Sequence, residues 1–192
     1  ISAAATAIGV IIGMILAVMG VSTSRWLRIP ARIYTDVFRG LPAILTILLI
    51  GQGFARFSQD LFGPSPYPLG ILALSLIASA YIGEIFRAGI QSVDKTEACR
   101  ALGMSYGKAM RLVVIPQGIR RVLPALVNQF IAIIKDSSLV YFLGLLVSER
   151  ELFRVGQDAA VLSGNLSPLV AAGIFYLIIT VPLTHLVNYF DD

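Results

Sequence analysis

Apolar residues along this chain gather into long runs separated by short polar segments. Five runs stand out, at about 1–21, 40–56, 67–89, 121–146 and 168–190. Each approaches the ~20 residues that a helix needs to cross the hydrocarbon core of a bilayer. None shows the apolar and polar alternation of a barrel strand, and lipid satisfies no backbone polar group, so each run predicts a helix. The second run is short and carries Pro42 near its start, which makes its boundary the least defined. No low-complexity linker or repeat divides the chain. The pattern predicts an all-α membrane protein, one domain over 1–192, with five transmembrane helices. The first run, ISAAATAIGVIIGMILAVMG, opens with no Met, basic n-region or small-residue cleavage site, and is expected to be a spanning helix truncated at its N-terminal end.

Composition strengthens the membrane reading. Of 192 residues, 57% are hydrophobic and 14% charged, too few polar groups to cover a soluble surface. A single Cys99 excludes an internal disulfide or a cysteine-cluster metal site, and the lone His185 assembles no zinc site by itself. No metal centre or nucleic-acid partner is expected. The net charge of +4 matters by position. Arg25, Arg28, Arg32 and Arg39 precede the second run, and Arg87, Lys95, Arg100, Lys108, Arg111, Arg120 and Arg121 surround the gap between the third and fourth. Arg56, Arg150 and Arg154 fall on the opposite side. The positive-inside rule makes the first group cytoplasmic, which places the N-terminus outside and the C-terminus in the cytoplasm. Trp26 and Tyr34 suit interface anchors. In the last outer loop Leu152, Phe153, Val155 and Val161 are expected to share one side of an interfacial helix.

One polar stretch carries more than topology. In EACRALGMSYGKAMRLVVIP (Glu97 to Pro116), Thr96 suits an N-cap and Glu97 suits the positive end of a helix dipole. Gly103 is expected to close the first helix in a left-handed conformation, Ser105 to cap a second, and Pro116 to end it near Ile115. Ala98, Ala101 and Leu102 would share one small apolar face, suited to a partner's groove or to packing on the protein's own helices. The same stretch spells Gly103-Met104-Ser105-Tyr106-Gly107, the G-x-S-x-G of a hydrolase elbow. That elbow needs a strand before the turn, whereas helix-forming EACRAL precedes it, and the only histidine lies in the fifth run. An intramembrane serine hydrolase built on Ser105 and His185 is therefore the weaker alternative.

Glu97-Ala98-Cys99, three residues, Gly103, nine residues, then Val113-Val114-Ile115-Pro116 resembles the EAA loop of ABC-importer permeases, E-A-A-x(3)-G-x(9)-I-x-L-P. TDVFRGLPAILTILLI, YIGEIFRAGIQSV, RLVVIPQGIRRVLPALVNQFI and IIKDSSLVYFLG resemble the polar amino acid subfamily, so the resemblance covers nearly the whole chain. Cys99, Val113 and Ile115 depart mildly from the pattern. The lead-in SVDKTEACRALG is about two residues shorter than the family's, which places a shortened loop or missing residues between Lys95 and Thr96.

The resemblance implies a permease subunit of a type I ATP-driven importer of polar amino acids, with a cytoplasmic coupling loop over 94–116 between the third and fourth helices. It implies no bond chemistry and no cofactor in this chain. ATP and Mg would be bound by two separate ATP-binding subunits, beside a second permease copy, identical or homologous, an extracytoplasmic amino acid-binding protein and membrane lipid. Glu97, Ala98, Ala101, Leu102 and Gly103 would form the ATPase-coupling element. Ionisable groups at membrane depth are costly and normally face a cavity or one another. Glu84, Lys135 and Asp136 are therefore pathway candidates, and also candidates for an internal Glu84–Lys135 or Lys135–Asp136 pair. Asn128, Gln129, Ser137 and Ser138 would add the donors and acceptors that a zwitterion requires. Arg87 is expected to snorkel towards the cytoplasmic surface. Gly9 and Gly13 have the spacing that admits a second helix closely. Composition and topology alone also permit an ion-coupled secondary transporter or channel, but such a protein needs no cytoplasmic docking helix and usually has more than five helices.

Overall fold

The computed structural model describes residues 1–93, 96–143 and 151–191, and no strand occurs among them. The shortened lead-in between Lys95 and Thr96 lies outside the described residues. Among the described residues, four helices are long and apolar enough to cross a membrane: α1 (Ser2–Val21), α5 (Tyr67–Ser92), α9 (Leu123–Asp136) with the 3₁₀ turn Ser137–Leu143 that continues it, and α11 (Ser167–Asp191). A fifth crossing exists if α2 (Arg25–Gly40) and α3 (Ala43–Gly53), bent by 106° at their junction, count as one broken span. Leu41 and Pro42 there are extended, because a residue before proline is sterically excluded from helix.

The segment holding Arg25, Arg28, Arg32 and Arg39 is thus a 16-residue helix rather than a polar connection. Its arginines recur at helical spacing beside an apolar face of Ile29, Ile33 and Val37. Three short helices follow the same logic of breaks: α4 (Ala55–Phe62) on the segment between the second and third runs, then α6 (Thr96–Ala101) and α7 (Tyr106–Ala109).

At the centre stands α5, with Ala73, Ser75, Ala78, Ser79, Ala80 and Gly83 buried along it. Small residues let neighbours approach, which is how helices associate where lipid is as apolar as leucine. The α1 stripe Ala5, Gly9, Gly13 and Ala17 lies against it. A Cβ on Gly13 would stand 2.9 Å from Ile82 Cγ2 and 3.0 Å from the Gly83 nitrogen. The close approach allowed by Gly9 and Gly13 is therefore made to α5 of the same chain. Ser75 and Ser79 donate to the carbonyls of Ile71 and Leu76 at 2.5 and 2.7 Å, so their buried hydroxyls are satisfied locally. Tyr34 on α2 reaches the Leu76 carbonyl at 3.1 Å and Ser79 Oγ at 2.7 Å, locking α2 across α5.

Pro116 does not end the helix after Ser105. From α7 the chain passes through the π-turn Met110–Val114 into α8 (Ile115–Arg121), with Pro116 in the first turn of α8. The wider turn, with the Ile115 N–H on the Met110 carbonyl, relieves the clash that a proline ring makes with the carbonyl four residues back. Pro124 likewise starts α9. Arg121 closes this region by donating to the Ser92 carbonyl at 2.7 Å, a cation on the negative end of α5.

In the last connection, α10 (Leu152–Ser163) buries Gly156 and Ala160 and leaves Val155 and Val161 exposed, so its packing face is the small one. A Cβ on Gly156 would stand 2.7 Å from Ala172 Cβ, which shows how closely α10 and α11 meet. Glu151 caps α10 by accepting from the Phe153 and Arg154 N–H groups at 2.8 and 2.5 Å, and also accepts from the Tyr176 hydroxyl at 3.2 Å. Burial holds its carboxyl above the ordinary value of 4.5 despite these donors. The folded chain therefore holds that proton more tightly than the unfolded one. The associated stability is present below 4.5 and is lost as pH rises through the raised value. Thermal unfolding at stepped pH should show Glu151→Gln gaining on wild type as pH climbs. A difference that moves the other way would mean that the capping hydrogen bonds outweigh burial.

Candidate functional site

The charged groups of the spanning helices α5 and α9 separate into two places. Glu84, one of the α5 residues near its C-terminal end, forms a forked pair with Arg87 one turn on: Nε to Oε1 at 3.0 Å and NH2 to Oε2 at 2.6 Å. Arg39 of α2 approaches the same carboxylate at 3.8 Å and stacks over the Tyr81 ring at 5.5 Å from its centroid. Glu84 therefore pairs with arginines and not with Lys135, and Arg87 folds back onto Glu84 instead of reaching outward. The reason is spacing, since residues three apart on a helix are neighbours. The Glu84 side chain is 27% exposed, so the pair sits in a wetted cleft and its net contribution is modest. That cleft, about 230 Å³, lies between α1, α2 and α5 and is lined by Arg28, Arg32, Thr35, Asp36, Arg39 and Gly83 beside the pair. Sequence reading found Glu84 but missed its surroundings. The signal was Arg28, Arg32 and Arg39 at i, i+4 and i+11, which fall together only if the segment is helical.

The remaining pathway candidates follow one another on α9 and its 3₁₀ continuation. Asn128 and Lys135 are exposed, Gln129 and Asp136 half-buried, and Ser137 buried. Adjacent residues on a helix diverge by ~100°, which accounts for the different exposure of Lys135 and Asp136. No salt bridge joins them among the described residues. The hydroxyls of Ser137 and Ser138 donate to the carbonyls of Ile134 and Lys135 at 2.6 and 2.8 Å. Ser138 keeps lone pairs for a donor, whereas the buried Ser137 hydroxyl also meets the Tyr176 side chain. Lys135 also lies in the last turn of α9, where a cation complements the helix dipole.

At the end of the bundle where α5 stops, α6 and α7 form a corner. Gly103 has φ +82°, and the Gly103 and Met104 N–H groups bond the Arg100 and Cys99 carbonyls at 2.9 and 3.1 Å, a Schellman closure. Ser105 accepts from the Lys108 N–H at 3.4 Å and starts α7. Cys99 is buried, while Glu97, Ala98, Ala101 and Gly103 are exposed and Leu102 is 83% exposed. Ser105 thus occupies a helix cap between two helices, not a strand-to-helix elbow, and His185 is an exposed residue of α11.

Residues 9–192 match the family described as the inner membrane component of binding-protein-dependent transport systems. The chain belongs to that family. This permease is 37% identical over 182 residues to the arginine transport system permease protein ArtQ of Bacillus subtilis (strain 168), covering 92% of this chain and 80% of the relative. It is 33% identical over 197 residues to the glutamate/aspartate import permease protein GltK of Escherichia coli O6:H1, covering 98% and 86%. Its fold matches a crystal structure of an amino acid ABC transporter with histidines at TM-score 0.85 and 34% identity, covering 98% of this chain and 86% of that one. Inward-facing MetNI methionine ABC transporter shares the fold at TM-score 0.80 and 16% identity. The chain is the permease subunit of a binding-protein-dependent transport system, which decides against the ion-coupled alternative.

Proposed function

We propose that this permease carries polar amino acids inward across a bacterial plasma membrane, with its N-terminus outside and its C-terminus in the cytoplasm. The exposed α6 corner carries the reading. A small apolar face of Ala98, Ala101 and Leu102 stands at one end of the bundle, fixed by a glycine closure and offered to solvent. It suits a groove on a separate ATPase, which holds ATP and Mg while this chain holds neither. Two ATP-binding subunits closing on two permease chains, identical or homologous, would move the corners as rigid bodies and switch the pathway between its two faces. An external binding protein would deliver the amino acid. Amino acid permeases among the relatives support that cargo class.

Lys135 and Asp136, with Asn128, Gln129, Ser137 and Ser138, would meet the zwitterion along the pathway. Glu84 would hold the arginine cleft together beside it. The test is ATP-stimulated uptake by the reconstituted complex against a panel of labelled amino acids. At least one polar amino acid should accumulate only with ATP. The pair Lys135→Gln and Asp136→Asn should raise its KM roughly tenfold, the loss of one charge-assisted contact of about 1.5 kcal/mol. A flat response across the panel would remove the cargo class, and uptake on an ion gradient without ATP would remove the mechanism.

A further inference from the structure

Glu84 engages Arg87 and Arg39 but leaves Arg28 and Arg32 without a salt bridge among the described residues. Both line the cleft beside Glu84. Both also line a second cleft of about 610 Å³ that runs towards Gln91, Tyr106 and Met110. On the outer side of α2 they border a third hollow of about 330 Å³ with Arg25 and Ile29. Three hollows thus meet at two arginines. Among the described residues lining the first two, four arginines (Arg28, Arg32, Arg39 and Arg87) meet two carboxylates (Asp36 and Glu84), which leaves a surplus of positive charge for an anion.

The α2 helix itself indicates which kind of anion. At ~100° per residue its circumference divides into three arcs. Ala31 and Thr35 are buried against the bundle, Arg25, Arg28, Arg32 and Arg39 form the next arc, and Ile29, Ile33 and Val37 form an exposed apolar arc beside them. Trp26, 91% exposed, continues the apolar arc at the N-terminal end. A guanidinium pair is suited to a phosphate, because its planar forks match phosphate oxygens. A soluble phosphate would use that pair and nothing of the apolar arc. An amphiphile with a phosphate at its head uses both.

We propose that Arg28 and Arg32 hold the phosphate of an anionic phospholipid whose acyl chains lie along Ile29, Ile33 and Val37. The site lies where α2 packs on α5, and the exposed Trp26 beside it would set it at headgroup level, as interfacial indoles do. Basic residues on an amphipathic helix are the recognised means of selecting anionic over zwitterionic lipid. Bound lipid would complete the charge balance of the Glu84 cluster and fix α2 against α5. The inference needs membrane insertion but neither ATP nor a particular cargo.

The test uses the assembled complex in bilayers containing phosphatidylglycerol or phosphatidylcholine with brominated acyl chains, at equal mole fraction. Trp26, the one tryptophan of this sequence, is read by fluorescence quenching, and W26F identifies its share of the signal. Brominated phosphatidylglycerol should quench Trp26 preferentially, with a relative affinity on the order of tenfold over phosphatidylcholine, as expected for two basic residues near the surface. R28Q/R32Q should bring the two lipids level, whereas R28K/R32K should keep part of the preference and excludes misfolding as the cause. R111Q/R120Q removes the same charge elsewhere and should change nothing. Equal loss in that control would mean general surface charge and overturn the site. Erasure of the preference by inorganic phosphate would assign the arginines to a free anion instead. Quenching by neither lipid would mean that protein covers the apolar arc, and the proposal would fall.

Discussion

Gly103→Val should abolish coupling, lowering ATP-stimulated uptake by about 100-fold, the upper part of the range of coupling energies between sites. At φ +82° the backbone is left-handed, a conformation that costs an L-residue ~1–2 kcal/mol and a β-branched one more. Valine would leave it, and the bonds from the Gly103 and Met104 N–H groups to Arg100 and Cys99 would break together. No Cβ clash contributes, since nothing lies within 4 Å of that position. The effect would therefore act on the direction of α6 and not on packing. Gly103→Asn provides the discriminating comparison, because asparagine tolerates the left-handed region and should retain much of the uptake. Uptake by the valine variant within about twofold of wild type would show that the corner transmits nothing.

That corner was largely legible in the sequence, and the reason is local. A glycine after an alanine-rich turn and a serine before the next one specify helix ends through backbone geometry alone, within a few residues. The four long spans were legible for a similar reason, since their length and apolar character are set by the bilayer. The α2 helix was not. Its four arginines and one aspartate lowered its apolar content below that of a span, and charge read as connection. What makes it a helix is tertiary: Tyr34 bonding into α5, Arg39 drawn to Glu84, and Ala31 and Thr35 buried. Pro116 failed as a stop signal for a comparable reason. A proline is disruptive only in a regular helix, and the π-turn Met110–Val114 relieves the clash before it arises. The arginine partners of Glu84 were missed, since the sequence left Glu84 open between substrate and an internal pair with Lys135. Lys135 lies on another helix, whereas Arg87 is one turn away and needs no tertiary assembly to arrive.

Gly89→Leu should weaken the closure of the fold, with a stability loss of about 3 kcal/mol, the top of the range for an overpacked core. At this point α5 crosses α8 with backbone against backbone. A Cβ at Gly89 would stand 2.6 Å from the Gly118 carbonyl oxygen and 2.7 Å from Val122 Cγ1, and one at Gly118 would stand 2.9 Å from the Gly89 carbonyl carbon. A flexible side chain can rotate away from such a contact, but a carbonyl held in a helix moves only with its helix. Parting the two helices would also break the bond from Arg121 to the Ser92 carbonyl, which ties α8 to the end of α5. The consequence reaches function because α5 carries Glu84 and Arg87, while α8 is continuous through the π-turn with the α7 side of the corner. This glycine crossing holds the helix of the charged cleft to the helix through which the corner would be moved. In detergent, Gly89→Leu should aggregate or unfold roughly 6–12 °C below wild type, by the usual scaling for a chain of this length. Gly173→Leu, on α11 with nothing within 4 Å of the added carbon, is the matched control and should unfold close to wild type. Equal stability of the two variants would mean that α5 and α8 can separate without loss, and the crossing would then be too pliant to carry motion from the corner to the cleft.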